Sequence, residues 1–204
     1  MRCFLFLFCV CLTLQVSVRA QEEAPKVDKI DRRVRRKIVS MYESDQCWRM
    51  VCIADKMDKN AASCKKVDEV DNSNTRQLQR IIKKYGFPSA DSVGQDVIGD
   101  VYTMIIHSLS IEFQKDNLPY LRKAAQTNQY LKQDVALLTD KILVAENKSQ
   151  IYGTQFRTEN GKMYLRETVE PEKLDFRRAE MNLSPMEDYM KMLEKIYRIP
   201  VIRP

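Results

Sequence analysis

The stretch of sequence that decides the fold is QIYGTQFRTENGKMYLRET, residues 150–168. Residues 150–157 and 162–168 are the only two segments of the chain with a convincing strand pattern. Asn160-Gly161 stands between them, and Asn-Gly is the strongest short signal for a two-residue hairpin turn. Glycine is scarce elsewhere and most other segments follow helical spacing, so the sequence predicts one small β-hairpin in a helical protein.

Helices are predicted on both sides of this hairpin. Leu78, Ile81 and Tyr85 lie on one face of a helix, with 72–74 as cap residues before them and Gly86 as the stop. Further helices are expected at about 95–109, 111–125 and 135–142, after Pro171, and from Ser184 onward. The predicted fold class is therefore mainly α (α+β): a compact multi-helix domain with one small β-hairpin, preceded by an N-terminal helical arm.

The start of the last helix has its own signature. Ser184-Pro185-Met186-Glu187 reads as a capping box with proline at the first helical position. The helix that follows is expected to bury Tyr189, Leu193 and Ile196.

Residues 1–20 have the pattern of a secretory signal peptide. A short positive start at Arg2 precedes an apolar core, and the small residues Val18 and Ala20 occupy the two positions typical of a cleavage site. The apolar core is shorter than the roughly 20 residues that a membrane span needs. We expect cleavage near Ala20 and a secreted or periplasmic protein with no transmembrane segment in the mature chain. The alternative is an N-terminal anchor that stays uncleaved.

The chain after the signal is expected to have two parts, a helical arm or hairpin at 21–72 and a helical domain at 73–204. Loss of Arg2 and Arg19 lowers the net charge of +6 by two, too small an excess to predict a nucleic-acid partner. The dense basic run at 32–37 is predicted to be the solvated side of a helix. The apolar side of that helix carries Ile30, Val34, Ile38 and Met41.

Three cysteines remain after the signal, and an exported chain tends to pair its thiols. Cys47 and Cys52 are five residues apart in one predicted helix, which holds their Cα atoms farther apart than the roughly 7 Å that a disulfide tolerates. If residues 58–60 form the turn of a helical hairpin, the second helix brings Cys64 closest to Cys52. We then expect a Cys52–Cys64 disulfide, with Cys47 unpaired. The alternatives are three reduced cysteines or a partial metal site.

The only histidine, His107, is the first candidate for chemistry. Asp96, Asp100, Thr103 and His107 fall in one narrow stripe of a helix. Two carboxylates and an imidazole on one face could bind a divalent metal, or a carboxylate could orient the ring for general-base catalysis. The alternative is that this stripe is simply the solvated side of an amphipathic helix.

Several separated segments resemble one bacterial family in the right order. Those segments are Tyr85-Gly86-Phe87-Pro88, Ser92-Val93-Gly94, Ile105-Ile106-His107, Leu138 to Val144, Gln150-Ile151-Tyr152-Gly153-Thr154-Gln155, Pro171-Glu172, Asp175, Arg177-Arg178 and Met186 to Tyr189. Together they are similar to the domain of unknown function 6624 family, over roughly residues 75–193. The Gln-x-Tyr-Gly-Thr-Gln run is the specific part. The resemblance implies a shared domain and a site, and it implies no reaction.

The chain departs from the family pattern at three places. The family usually reads Gln-His-Ala-Asp around its histidine, whereas this chain reads Ile-His-Ser-Leu at 106–109. A mechanism that needs that acidic neighbour therefore requires Asp96 or Asp100 to substitute for it from the preceding turns. Lys141 replaces the usual arginine after Asp140 and loses the planar guanidinium fork. Phe87 stands where tryptophan is common.

The family resemblance and the helical wheel together single out a set of candidate site residues. They are His107, Asp140, Gln150, Tyr152, Gln155, Arg177 and Arg178. Each also has a structural interpretation, in which Tyr152 shapes the hairpin, Asp140 pairs with Arg177, and the two glutamines satisfy backbone groups at strand edges.

Two functions remain open. The first is an exported binding or interaction module, with a polar site around His107 and the 150–155 segment, the basic arm and Cys47 as accessory contacts, and an extracytoplasmic ligand or protein as partner. The second is a water- or metal-dependent hydrolase with His107 as general base, Asp140 orienting it, and Arg177 or Gln155 stabilising negative charge. No serine or cysteine stands in a nucleophile motif. The sequence leaves the cofactor open.

Overall fold

The computed structural model of the chain describes residues 31–55 and 57–203. The expectations for the signal peptide at 1–20 and for Ile30 lie outside these residues.

Eight α-helices make up most of the described chain, so the predicted mainly helical α+β class is confirmed. They are α1 (Arg32–Ala54), α2 (Ala62–Tyr85), α3 (Ala90–Val93), α4 (Ile98–His107), α5 (Ile111–Gln126), α6 (Lys132–Ala145), α7 (Leu174–Glu180) and α8 (Met186–Tyr197). Short 3₁₀ turns at Gln95–Val97 and Pro171–Lys173 precede α4 and α7. Within the described residues, none of these helices combines the length and apolar character needed to cross a bilayer.

Helix α1 follows the amphipathic pattern of its sequence. The Asp31 side chain caps its first turn by accepting the N–H of Val34 at 3.0 Å. Val34, Ile38 and Met41 are buried, as predicted for the apolar side. Most of the basic run at 32–37 is exposed, which agrees with the solvated-face prediction.

Helix α2 begins much earlier than the sequence pattern indicated. It runs without interruption through 72–74, which were expected to be cap residues, and the domain boundary expected after residue 72 falls inside it. The early turns form because Val67 and Val70 are buried. Asn74 is buried too, and its amide donates to the carbonyl of Met41 on α1 at 3.1 Å. Packing against α1 therefore overrides the local capping signal.

The tip of the α1–α2 hairpin is closed by a disulfide between Cys52 and Cys64, as predicted. Their Cα atoms lie 4.8 Å apart. Cys47 is exposed and has no disulfide partner among the described residues.

Reduction of this disulfide should lower the free energy of unfolding by about 3 kcal/mol, because the linkage closes a loop of separation 12 and restricts the unfolded chain. Urea denaturation with and without reductant measures the difference. Cys47→Ser is the matched control and should respond to reductant like the wild type. The prediction would be contradicted if the reductant left the urea midpoint of unfolding unchanged in both proteins.

The main core lies between five helices. Ile38 of α1, Leu78 of α2, Ile105 of α4, Leu121 of α5 and Leu138 of α6 are each 0% exposed. Full burial of such a side chain contributes roughly 1.5–3 kcal/mol. Helix α4 therefore lies inside the helical layer, and its last residue, His107, emerges between α1 and α6.

A three-stranded sheet lies beside the helices. β1 (Phe156–Glu159) and β2 (Lys162–Leu165) pair antiparallel around Asn160 and Gly161, both at positive φ, which confirms the predicted hairpin turn. The sequence missed β3 (Val201–Ile202), which pairs parallel with β2. A strand of two residues is too short to have a periodicity.

Residues 150–155 are not a strand, although the sequence predicted one. Gln150 makes one isolated bridge to Thr168, and the chain then turns at Gly153, which has φ +68°. A Cβ at Gly153 would meet Leu174 and Met186 at 3.2–3.3 Å. This segment, called the 150–155 loop below, therefore packs directly against α7 and α8.

The start of α8 also differs from the prediction. Ser184 does not cap it; the Asp175 carboxylate of α7 accepts the N–H of Met186 at 2.7 Å instead. Leu193 is buried as expected, whereas Ile196 is 60% exposed. The cap comes from a neighbouring helix, a contact that the local sequence could not reveal.

Candidate functional site

His107 ends α4 and pairs with a carboxylate of α1. Its Nδ1 lies 3.0 Å and 3.2 Å from the two oxygens of Asp45. A carboxylate only accepts hydrogen bonds, so the neutral ring carries its proton on Nδ1 and leaves Nε2 as the free acceptor. The side chain of Asp45 is 1% exposed and that of His107 is 29% exposed. The buried Asp45 thus fixes the orientation of the ring, and the ring itself is accessible to solvent.

Arg49 joins this pair to a second buried carboxylate. It lies one helical turn after Asp45 on α1, and its Nε is 3.2 Å from both Asp45 oxygens. Its Nη2 is 2.7 Å from both oxygens of Asp71 on α2, a side chain only 4% exposed. Within the described residues, Nη1 of Arg49 donates to no protein group. One guanidinium therefore bridges two carboxylates, and one of its nitrogens has no partner among the described residues.

The two carboxyl groups differ in their pKa. Burial raises the pKa of Asp71 to about 6, although Arg49 opposes the change. Burial would also raise the pKa of Asp45, but the hydrogen bond and charge of His107, together with Arg49, hold it below its ordinary value. Neighbouring carboxyl groups with separated pKa values are a common arrangement in acid–base sites.

Lys141 of α6 completes the cluster from the other side. Its Nζ donates to the carbonyl of Ile106, next to His107. Burial lowers the pKa of Lys141, and the charge of Asp71 partly counters this. We call Asp45, Arg49, Asp71, His107 and Lys141 the His107 cluster.

Sequence reasoning missed Asp45, Arg49 and Asp71. One signal for Asp45 was available, because it extends the buried stripe of Ile38 and Met41 on α1 by another turn. A carboxylate on an apolar helix face needs a partner, and that requirement points to the only histidine or to a nearby arginine. The burial of Asp71 had no comparable signal.

The metal site predicted from Asp96, Asp100 and His107 is not assembled in the described structure. Asp96 is exposed and forms a bidentate pair with Arg35 at 2.6–2.7 Å. The three side chains do not form a group that could hold an ion. The helical wheel placed the three residues on one stripe. It could not show that α1 supplies the partners of Asp96 and His107, which are Arg35 and Asp45.

A different group could hold a divalent ion. Among the described residues, ligand atoms of Asp45, Asp71 and His107 all lie within 4.8 Å of one another. Two carboxylates and an imidazole are suitable ligands for zinc or a similar metal. The guanidinium of Arg49 lies against the same oxygens, so an ion would have to displace it.

Asp140, predicted to orient His107, has other partners. It is 0% exposed and accepts the backbone N–H groups of Ile151 at 2.8 Å, Tyr152 at 3.1 Å and Thr154 at 3.0 Å, together with the Thr154 hydroxyl. In the structure the carboxylate at His107 is that of Asp45. Asp140 anchors the 150–155 loop.

The two predicted glutamines also hold this loop. Gln150 is fully buried; its amide nitrogen donates to the carbonyls of Gln155 and Arg166, and its oxygen accepts the N–H of Gln155 at 2.8 Å. The Gln155 amide donates to Thr154 at 3.1 Å. Gln150 therefore satisfies backbone groups, as the structural interpretation expected, whereas the side chain of Gln155 bonds to a hydroxyl group.

The two predicted arginines bond to the same loop. Nε of Arg177 donates to the carbonyl of Ile151 at 2.8 Å. Arg178 is 1% exposed, donates to the carbonyl of Tyr152 at 2.8 Å and stacks on the ring of Tyr189 at 4.8 Å. Tyr152 itself is half-buried, which raises the pKa of its hydroxyl.

The predicted site residues therefore separate into two groups. His107 belongs to the cluster with Asp45, whereas the other six residues hold or form the 150–155 loop. Consecutive residues of α6 serve both, since Asp140 binds the loop and Lys141 binds the carbonyl beside His107.

Comparisons with known proteins bear on both groups. A search of curated proteins and a search of solved structures each found no match. The family described as "Family of unknown function (DUF6624)" matches residues 32–202, which include the His107 cluster and the 150–155 loop. Because the match covers most of the chain, this protein belongs to the DUF6624 family of unknown function.

Proposed function

We propose that this protein is an exported acid–base catalyst, most simply a water-dependent hydrolase, with His107 as its general base. The observation that carries the proposal is the 3.0 Å contact between Nδ1 of His107 and a buried Asp45, with the ring 29% exposed. A base needs a fixed tautomer, an orienting partner and access to substrate. An extracytoplasmic location is supported by the Cys52–Cys64 disulfide.

The chemistry follows from the cluster. Nε2 of His107 takes a proton from water, and the water oxygen bonds to an acyl or phosphoryl centre of the substrate. The imidazolium is stabilised by Asp45, and it returns its proton to the leaving group as that bond breaks. Arg49 and Lys141 give the cluster positive charge, which would stabilise negative charge that develops on the substrate.

A binding module without chemistry is the second candidate. The observation that favours it is the unused donor of Arg49 next to His107 and Lys141, which together suit an anionic ligand. The 150–155 loop contributes little to such a site, since the polar groups of Asp140 and Gln150 are used internally.

Turnover distinguishes the two candidates. On a panel of carboxylic and phosphate esters, we expect His107→Gln and Asp45→Asn to lower kcat/KM on the order of 100-fold or more. Asp96→Asn is the control and should leave turnover unchanged, because within the described part of the chain this carboxylate pairs with Arg35 alone and lies outside the His107 cluster. A parallel series with a chelator tests whether an ion takes part.

The single histidine supplies an independent readout. His107 gives the only imidazole signals in the NMR spectrum of the chain, so any ligand that reaches it shifts them unambiguously. Ligand-induced shifts with no turnover on any ester would favour the binding module. Turnover that survives His107→Gln would overturn the catalytic proposal.

A further inference from the structure

A second polar site lies in the sheet region and shares no residue with the His107 cluster. It is a cavity of about 540 Å³ between the hairpin and the segment that follows it. This volume falls within the usual range of small-molecule sites. Its walls include the side chains of Arg157, Leu165, Arg166, Glu167, Pro171 and Arg203.

The strand register explains why three arginines meet there. Arg157 lies on β1, and Arg166 follows β2 directly. β3 pairs with β2 through Met163↔Val201 and Tyr164↔Ile202, so the next residue, Arg203, comes beside the end of β2. The pairing of the two-residue strand β3 therefore places the guanidinium of Arg203 at the cavity, beside those of Arg157 and Arg166.

These guanidiniums keep most of their donors for a ligand. Across residues 31–55 and 57–203, Arg166 has no carboxylate within ion-pair distance and no side-chain hydrogen bond. Arg203 donates only to the carbonyl of Pro171, at 3.0 Å. Arg157 pairs with Glu159 and stacks on the ring of Tyr164 at 4.8 Å. Glu167 is the one carboxylate in the wall, so positive charge dominates the cavity.

We propose that this cavity binds the phosphate monoester group of a small organic molecule. A phosphomonoester carries a charge of roughly −1.5 to −2 at neutral pH and three acceptor oxygens, which several guanidinium forks can bond at once. A carboxylate would use one fork and leave the others uncompensated. Leu165 and Pro171 form an apolar wall for the carbon part of the ligand.

Titration calorimetry with sn-glycerol 3-phosphate tests the proposal, with glycerol as the uncharged probe. We expect saturable binding with Kd below ~1 mM, weakened by added salt, and no heat with glycerol. Arg166→Gln and Arg203→Gln should each raise Kd about tenfold, the loss of one charge-assisted contact. Arg80→Gln, an exposed arginine of α2, is the matched control.

The fold should survive these changes, because Arg166 makes no internal side-chain bond, and the melting temperature of each variant verifies this. Vesicles of phosphatidic acid in phosphatidylcholine, compared with phosphatidylcholine alone, show whether the phosphomonoester can also come from a lipid. The proposal is overturned if neither glycerol 3-phosphate nor the phosphatidic acid vesicles bind, or if Arg166→Gln binds as tightly as the wild type.

Discussion

Asp140→Ala should lower the free energy of unfolding by about 4 kcal/mol and release the 150–155 loop. The Asp140 carboxylate is fully buried and accepts three backbone N–H groups and one hydroxyl. Without it, one buried and two half-buried backbone donors lose their acceptor, and each unsatisfied donor costs about 1–3 kcal/mol. Partial entry of water into the loop keeps the total below the sum of these costs.

Urea denaturation measures the loss of stability, and amide hydrogen exchange at Ile151, Tyr152 and Thr154 measures the release of the loop. Asp175→Ala is the matched control, since Asp175 also accepts a backbone N–H eleven residues onward, from Met186. That bond is a single helix cap near the surface, so its loss should cost only about 1 kcal/mol. Asp140→Asn, which keeps one oxygen, should fall between these values. Equal effects of the two alanine variants, with protected loop amides, would contradict the anchoring role.

The Gln-x-Tyr-Gly-Thr-Gln motif thus has a mainly structural explanation. It is the most specific part of the resemblance to the family, and for that reason it pointed to a site. Gln150 closes the loop on itself, and Gly153 allows it to approach α7 and α8. The motif specifies a loop held by Asp140 and the two arginines, whereas the accessible acid–base group lies at His107.

The features that the sequence predicted correctly are those that local geometry determines. The Asn160-Gly161 turn needs only two residues at positive φ, and the Cys52–Cys64 pair follows from a short helical hairpin. The partner of His107 depends instead on how α1 packs against α4, 62 residues away along the chain. A helical wheel of α4 contains no information about α1. The prediction therefore chose Asp96 and Asp100, which share the stripe of His107, as its partners.

The 150–155 loop is a second case in which a tertiary contact, and not the local sequence, determines the structure. Its residues have strand-like character, but a carboxylate from α6 takes the backbone N–H groups that a neighbouring strand would use. The family resemblance drew attention to Asp140, but it could not show which backbone N–H groups this carboxylate accepts. The His107 cluster is a tertiary arrangement throughout, with one residue each from α2, α4 and α6 and two from α1.

Arg49→Met should be the second most damaging substitution, and its effect should depend on pH. Arg49 is the only guanidinium within ion-pair distance of Asp45 and Asp71 in the described chain. Removing one partner from buried ion pairs typically costs 3–5 kcal/mol; because Arg49 is 28% exposed, we expect about 3 kcal/mol at about pH 7. His107 still hydrogen-bonds Asp45, whereas Asp71 loses the arginine that donates to both of its oxygens, so the destabilising buried charge is mainly that of Asp71.

The sign of the pH dependence follows from Asp71. Its pKa in the folded protein is already raised to about 6, and loss of the opposing arginine raises it further. A carboxyl group whose pKa is raised on folding stabilises the fold when protonated, and this stability is lost as pH rises through the folded pKa. The deficit of Arg49→Met relative to the wild type should therefore shrink as pH falls from about 7 to about 5.

Two further variants make this result decisive. Asp71→Asn in the Arg49→Met background removes the buried charge, so the double variant should recover most of the lost stability at about pH 7 and lose the pH dependence. Arg35→Met removes the exposed pair with Asp96 from the same helix and should change stability far less, with no recovery on acidification. Lost packing of the arginine side chain alone would give a deficit that is equal at both pH values and is not reduced by Asp71→Asn. A deficit that shrinks on acidification assigns the destabilisation to the charge of Asp71, which places Arg49 in the cluster as the cation that keeps two carboxylates buried beside His107.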